Sequence, residues 1–298
     1  STTITNLTAV YGSKIKATKS TDGTTGVAST SKLMITLSPT DATAVVSGTF
    51  NPQITVKPYK LEKGDLITMA LDQTSSNKTY RVLKIDENNS DIVEVLAMHD
   101  YKPKQYHNSK EDHTTTDANG KTVQQYAGSD LDTYLNTTWY DTLSDTAKEA
   151  IVESDIVQYS YVISGSVFNS STHASIANYS TKSVVYQDDA KNVTTLKRYV
   201  YALDIEDVEA YFGGTIGEDS GIAGTFGKSD IWELFWNPQG KSIGWIYPWF
   251  RSARADDSKN VYAVYGNSGN VDNIGVDFSG TARPAFKIDL SKIAWTAA

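Results

Sequence analysis

Apolar and polar residues alternate along this chain in short runs, and turn residues interrupt nearly every run. Leu33–Leu37, Thr79–Ile85, Asp91–Met98, Ile156–Ile163 and Asn260–Tyr265 show the pattern. A two-residue period over so few positions is that of half-buried strands, not of helices. Gly, Pro, Asn, Asp and Ser cluster between the runs and mark turns. The chain is therefore read as α+β with short antiparallel strands.

Residues 1–57 form the first region. They hold five short alternating runs, separated by turn signals such as Thr21-Asp22-Gly23, Ser38-Pro39 and Asn51-Pro52. Strands at this spacing suggest a small sandwich, Ig-like, or an extended β arm. The region has no His, Trp or Arg, and its acids are Asp22 and Asp41. It has little with which to do chemistry and reads as a β-rich anchor or assembly module.

Lys57-Pro58 marks the expected boundary, and 58–298 the second domain. Asp65–Met69 reads as a strand. Thr79–Ile85 and Asp91–Met98 read as a hairpin joined by Asp86-Glu87-Asn88-Asn89-Ser90. The polar stretch 101–126 is expected to be a long exposed loop. Residues 129–154 read as helical, with Ser129 and Ser144 as caps and Thr146/Glu149 offering a shifted start. Strands are expected over 156–163, 183–186 and 198–203. Asp204 caps a third helix with the stripe Ile205, Val208, Tyr211 and Phe212, stopped by Gly213-Gly214. Residues 214–298 read as short strands with long irregular connections.

Lys+Arg is 27 and Asp+Glu is 35, which gives 27 − 35 = −8. Such a chain is a poor polyphosphate binder, so nucleic acid is not an expected partner. The charge also opposes adsorption to anionic membranes, and no run approaches the length of a membrane span. Cysteine is absent, which removes disulfides, thiolate nucleophiles and cysteine metal sites. The fold must be held by packing and hydrogen bonds alone. The opening Ser1-Thr2-Thr3 fits either a cytosolic product or a mature secreted form.

Four stretches are familiar together. The first is Thr79-Tyr80-Arg81-Val82-Leu83 followed by Val93-Glu94-Val95-Leu96-Ala97. The second is Tyr126-Ala127-Gly128-Ser129-Asp130-Leu131-Asp132-Thr133-Tyr134-Leu135-Asn136 running into Trp139-Tyr140. The third is Leu203 to Gly213. The fourth runs from Trp249-Phe250-Arg251-Ser252 through Val261-Tyr262 to Arg283-Pro284-Ala285. In this order they resemble the bacterial and phage surface-domain family DUF6273, related to C-type-lectin-like folds, over residues 58–290. The resemblance implies a lectin-like display domain with its ligand surface on the irregular loops and strands near the C-terminus. Members of the wider fold occur in receptor-binding proteins that phages diversify. Fold alone does not fix function.

The candidate ligand-binding residues follow from that region. Trp245, Tyr247 and Trp249 alternate onto one face, with Trp249 the expected core member. Arg254, Asp256, Asp257 and Asn260 place polar groups beside the aromatics, and Tyr262, Tyr265 and Asn267 lie on the next strand and turn. Aromatic faces stack on sugars and dominate interface hot spots. Arg251 and Arg283 are expected to make structural hydrogen bonds.

Catalysis needs a positioned nucleophile, base or metal, and no such signature is visible, so no enzyme is expected. His99, His107 and His113 crowd one loop without an evident metal shell, and read as solvated. Trp236-Asn237-Pro238-Gln239 and Asp256-Asp257 only loosely echo the calcium site of a sugar-binding lectin. No cofactor is expected.

The functional expectation is a non-enzymatic bacteriophage virion surface protein, a decoration or receptor-binding protein. It would contact other virion proteins through 1–57 and bind a host-surface glycan or protein through 58–298. Virion proteins are commonly symmetric, so a homo-oligomer is expected. The alternative is a bacterial cell-surface or secreted adhesin of the same fold.

Overall fold

The computed structural model describes residues 61–99, 102–163, 179–186, 192–216, 225–226, 228–235, 247–264 and 271–298. The module expected over 1–57 and its boundary lie outside the described residues. The described chain is mostly β-sheet with a few short helices, the α+β class.

Eleven strands build the two large sheets. They are β1 (Leu66–Met69), β2 (Lys78–Ile85), β3 (Ile92–Ala97), β4 (Ile151–Val152), β5 (Tyr159–Ile163), β6 (Tyr179–Val184), β7 (Trp249–Arg254), β8 (Asn260–Val264), β9 (Val271–Gly275), β10 (Ala285–Asp289) and β11 (Trp295–Ala297). The first sheet has the order β11-β1-β2-β3-β10-β4 and is antiparallel throughout. The second has the order β6-β5-β7-β8-β9, with β5 and β7 parallel. Strand β11 pairs with β1, so among the described residues the last strand covers the edge of the first.

Local chemistry sets the elements. The β2–β3 hairpin turns on Asp86, whose Oδ1 accepts from the Asn88 and Asn89 amides at 2.9 and 3.0 Å. These bonds, helped by the charges of Lys287 and Lys84, hold its carboxyl below the usual range. Helix α1 (Asp130–Thr133) is capped by Ser129, whose Oγ accepts from Asp132 N, and it runs on as a π-helical turn over Tyr134–Trp139. Helix α2 (Asp145–Ala150) starts at Ser144, not at the shifted Thr146/Glu149 position. Helix α3 (Ile205–Phe212) opens with a capping box. Asp204 accepts from Glu206 N while Asp207 accepts from Asp204 N at 2.7 Å. It stops at Gly213, whose φ of +71° is the left-handed conformation that favours glycine.

Several expectations are corrected. Residues 102–126 are not a long exposed loop. They form three three-residue strands, Lys102–Lys104, Thr114–Thr116 and Thr122–Gln124, and bury Tyr106, Val123, Gln124 and Tyr126. The buried Gln158 side chain pins this segment, accepting from Tyr126 N and donating to Gln124 O. The helical region ends at Ala150, because Ile151–Val152 already pairs with β10. The strand expected over 156–163 breaks at Val157-Gln158, and Ser154–Ile156 pairs instead with Leu196–Arg198. The strand expected over 198–203 is only this short pairing and a single bridge from Tyr201 to Ala285. Residues 200–203 run buried through the core, held by Asn136, Tyr126 and Arg251. A helix α4 (Lys228–Phe235) stands where an irregular connection was expected.

The core is rich in tyrosine. Tyr80, Tyr106, Tyr126, Tyr161, Tyr201 and Tyr262 are all at most 2 % exposed. Their hydroxyls find partners inside, as buried polar groups must. Tyr161 donates to Asp204 at 2.9 Å, Tyr262 to Tyr161 O at 3.2 Å and Tyr201 to Glu94 at 2.7 Å. Tyr126 accepts from Ala202 N. Much of the tyrosine content is thus interior.

Candidate ligand groove

Among the described residues, those expected to bind ligand are not all brought together. Tyr247 stands two residues before β7 and Arg254 at its far end. Seven residues of extended chain span about 20 Å, too far for one small ligand to bridge. Trp245, Tyr265 and Asn267 lie outside the described residues. Tyr262 is fully buried and packs edge-on to Tyr161, with ring centroids 6.2 Å apart. It is a core residue, because its position in β8 faces inward, and it presents nothing to a ligand.

The polar members instead engage each other. Arg254 grips Asp256 through Nε at 2.7 Å and Nη2 at 3.0 Å, and its Nη1 donates to Asn273. Asp257 accepts from Lys259 N and from Asn260 Nδ2, and Asn260 also donates to Asn273. This lattice ties the β7, β8 and β9 ends together. At the other end, Tyr247 meets Phe278 edge-to-face at 5.2 Å, and Phe278 is 43 % exposed. Trp249 is buried as expected, and its Nε1 donates to Lys104 O at 2.7 Å.

The histidines divide. His107 and His113 stack with centroids 4.7 Å apart, while His99 packs against Tyr80. Burial and the neighbouring His113 hold His107 below the usual imidazole range. Among the described residues, no group of three or more metal-ligating side chains converges.

The concave surface lies elsewhere. Three adjoining hollows of about 240, 260 and 80 Å³ share Glu94 as a common wall. They run between the face of the first sheet and helix α3. Glu94 sits mid-strand in β3, and Lys84 and Lys287 stand opposite it in register on β2 and β10. Asp207 comes from the first turn of α3. Tyr201 comes from the buried segment 200–203, and Tyr159 and Tyr211 close the ends.

Arg251 forms the floor. It is 2 % exposed, and its Nε and Nη1 donate to Val157 O and Ala202 O, both at 2.7 Å. Nη1 also meets Asp207 Oδ2 at 2.6 Å, and Nε lies 3.9 Å from Asp204 Oδ2. Burial opposes its charge, but Asp207 and Asp204 outweigh that and hold the guanidinium above its usual range. Asp204 is wholly buried, and desolvation pushes its carboxyl up to about 6. Burial and the nearby Asp207 also raise Glu94, against the Tyr201 hydrogen bond and the charges of Lys287 and Arg251. Burial keeps the Tyr201 phenol far above its usual range, so it stays a donor.

This arrangement places the carboxyl groups of Glu94 and Asp207 at fixed positions on a strand and a helix, with the Tyr201 hydroxyl already donated to Glu94. Its ends carry tyrosine faces, with Lys182 over Tyr159 and Lys63 over Tyr211. It suits a hydroxyl-rich ligand lying along the groove.

A family model described as a domain of unknown function, DUF6273, matches residues 90–290. The chain belongs to this family. No curated protein matches the chain, and no solved structure does. The DUF6273 match begins in the β2–β3 turn and ends after β10, so β1, β2 and β11 lie outside it. Glu94, Tyr201, Asp207, Arg251 and Lys287 all fall within it, and Lys84 does not. The DUF6273 stretches Trp249–Ser252 and Arg283–Ala285 are buried scaffold. Arg283 donates to Ala97 O and to Phe235 O, the structural role expected of it, as Arg251 does in the floor.

Proposed function

We propose that this chain is a non-enzymatic surface protein of a bacteriophage particle, and that its DUF6273 domain is a C-type-lectin-like module that binds a host-surface glycan in the groove around Glu94. The observation that carries the reading is the groove itself. Its carboxyls and its tyrosine ring faces are held by rigid elements, which is what selective sugar binding requires. The short strands, short helices and long connections, with first and last strands paired, support the lectin-like assignment. In this reading residues 1–57 attach the domain to other virion proteins, and repeated copies add avidity.

The test uses labelled full-length protein on bacterial cells. Saturable binding should disappear after periodate oxidation of the cell-surface sugars. Binding that survives oxidation but is removed by protease treatment of the cells would replace the glycan by a protein receptor. Absence of binding on any candidate host would remove the receptor-binding role.

A further inference from the structure

The groove carries several cations, and most are engaged. Arg251 is held by Asp207, Val157 O and Ala202 O. Lys63 Nζ donates to Tyr211 O at 2.6 Å. Lys182, beside Tyr159, is paired with Glu206, and Lys197 lies near Glu153 and Asp155. Two ammonium groups differ. Among the described residues, neither Lys84 nor Lys287 has an ion pair or side-chain hydrogen bond. Lys84 is exposed and Lys287 is half-buried.

The sheet register puts these two on either side of Glu94. Lys84 pairs with Glu94 across β2–β3, and Lys287 pairs with it across β3–β10. Three neighbouring strands thus present a Lys–Glu–Lys row on one sheet face, at side-chain spacings of about 5 Å. The row lines the hollows around Glu94. The other acid at this end, Asp86, accepts two backbone amides in the turn and also feels the charges of Lys287 and Lys84, neither of which forms a close ion pair with it. Glu94 accepts from Tyr201, and burial and the nearby Asp207 raise its pKa against the charges of Lys287 and Arg251.

We propose that the ligand of this groove is an acidic polysaccharide, whose phosphate or carboxylate group is held between the ammonium groups of Lys84 and Lys287. This deepens the glycan-binding reading and rests on it. Two cations without a close ion pair among the described residues, about 10 Å apart across three strands, suit a repeating anionic polymer, which can rebind from one unit to the next. They would also give binding that weakens as ionic strength rises.

The experiment measures binding of the full chain to poly(glycerol phosphate), polygalacturonate and neutral dextran by biolayer interferometry. Three proteins are compared: wild type, Lys84→Gln/Lys287→Gln and Ala210→Trp. Ala210 is exposed on α3 and lines the hollow of Lys63, Lys84, Glu94 and Tyr211, so a tryptophan there fills the groove at the Lys84 end without disturbing the core. Unchanged thermal unfolding checks that each variant is folded. The proposal expects wild type to bind at least one acidic polymer and not dextran. It expects at least a tenfold loss in both variants, and the polymer bound tells phosphate from carboxylate. Equal binding of dextran, lost in Ala210→Trp but kept in the lysine variant, would overturn the acidic class and leave the groove reading intact. Binding of no polymer, or binding that Ala210→Trp does not touch, would overturn both.

Discussion

Replacing Arg251 by methionine should be the most damaging single change in the groove floor. Methionine fills much the same volume but leaves Asp207 and the buried Asp204 without their cation, and the carbonyls of Val157 and Ala202 without donors. Removing one partner of a buried ion pair costs about 3–5 kcal/mol, and a natural domain has only about 5–15 kcal/mol in total. At about 2–4 °C per kcal/mol for a domain of this size, the thermal midpoint should fall by about 6–20 °C. Urea unfolding followed by tryptophan fluorescence measures the loss directly, with the slope m checking that the denatured state is unchanged. Arg251→Lys keeps one charge but cannot reach the Val157 and Ala202 carbonyls together, so it should recover only part of the loss. Asp207→Asn in the Arg251→Met background removes the stranded carboxylate and should restore stability by about 1 kcal/mol or more, a coupling typical of side chains in contact. A loss below about 1 kcal/mol in Arg251→Met, or additive effects in the double variant, would refute the reasoning, because buried, uncompensated charge cannot be that cheap.

Gly280→Ala should destabilise the protein by about 1–3 kcal/mol, as overpacking does, because an added Cβ would overlap the Trp249 indole at Cε2 and Nε1; an unchanged urea midpoint would contradict this. Asp204 binds its proton more tightly folded, at about 6, than its ordinary value of 3.8. Its contribution to stability is therefore present below about pH 4 and lost as the pH rises through 6. Relative to the non-titrating Asp204→Asn, wild type should lose roughly 2–3 kcal/mol between pH 4 and 7; a difference that stays flat or grows with pH would show the opposite sign. Arg254→Ala should cost no more than about 1 kcal/mol, since the Asp256 pair is partly exposed, and should leave cell binding unchanged; a large loss of binding would return the ligand site to the β7–β8 turn.

Much of the framework was legible in the residues. The β2–β3 hairpin, the serine caps at 129 and 144, and helix α3 between Asp204 and Gly213 all follow from local chemistry. Helix α4 was missed although Ile231, Leu234 and Phe235 have helical spacing, because the glycine-rich surroundings read as loop. Residues 102–126 looked solvated because their buried members, Tyr106, Val123 and Tyr126, are isolated among polar neighbours. Such a segment is fixed by distant partners such as Gln158, which no local period reveals. Val200–Leu203 alternates poorly for the same reason, since every side chain there is buried by a different element. The groove was not visible at all. Its walls come from β2, β3, β10, α3 and the segment at 201, and the Lys84–Glu94–Lys287 row exists only once the register is set. One local signal was available: Glu94 is a lone acid inside the apolar run Ile92-Val93-Glu94-Val95-Leu96, a position where a carboxyl needs a reason. The choice of Tyr262 failed for a related cause. Tyrosine has an apolar body and a polar tip, and in this core the tips are satisfied internally.

The central claim is that ligand binds in the groove and not at the exposed aromatic pair. It is tested by comparing Ala210→Trp with Tyr247→Ala/Phe278→Ala in one assay, saturation binding of the labelled full chain to host cells. The groove account predicts at least a tenfold loss in Ala210→Trp and near wild-type binding in Tyr247→Ala/Phe278→Ala. The reverse pattern, with binding lost at the aromatic pair and retained when the groove is filled, would contradict it.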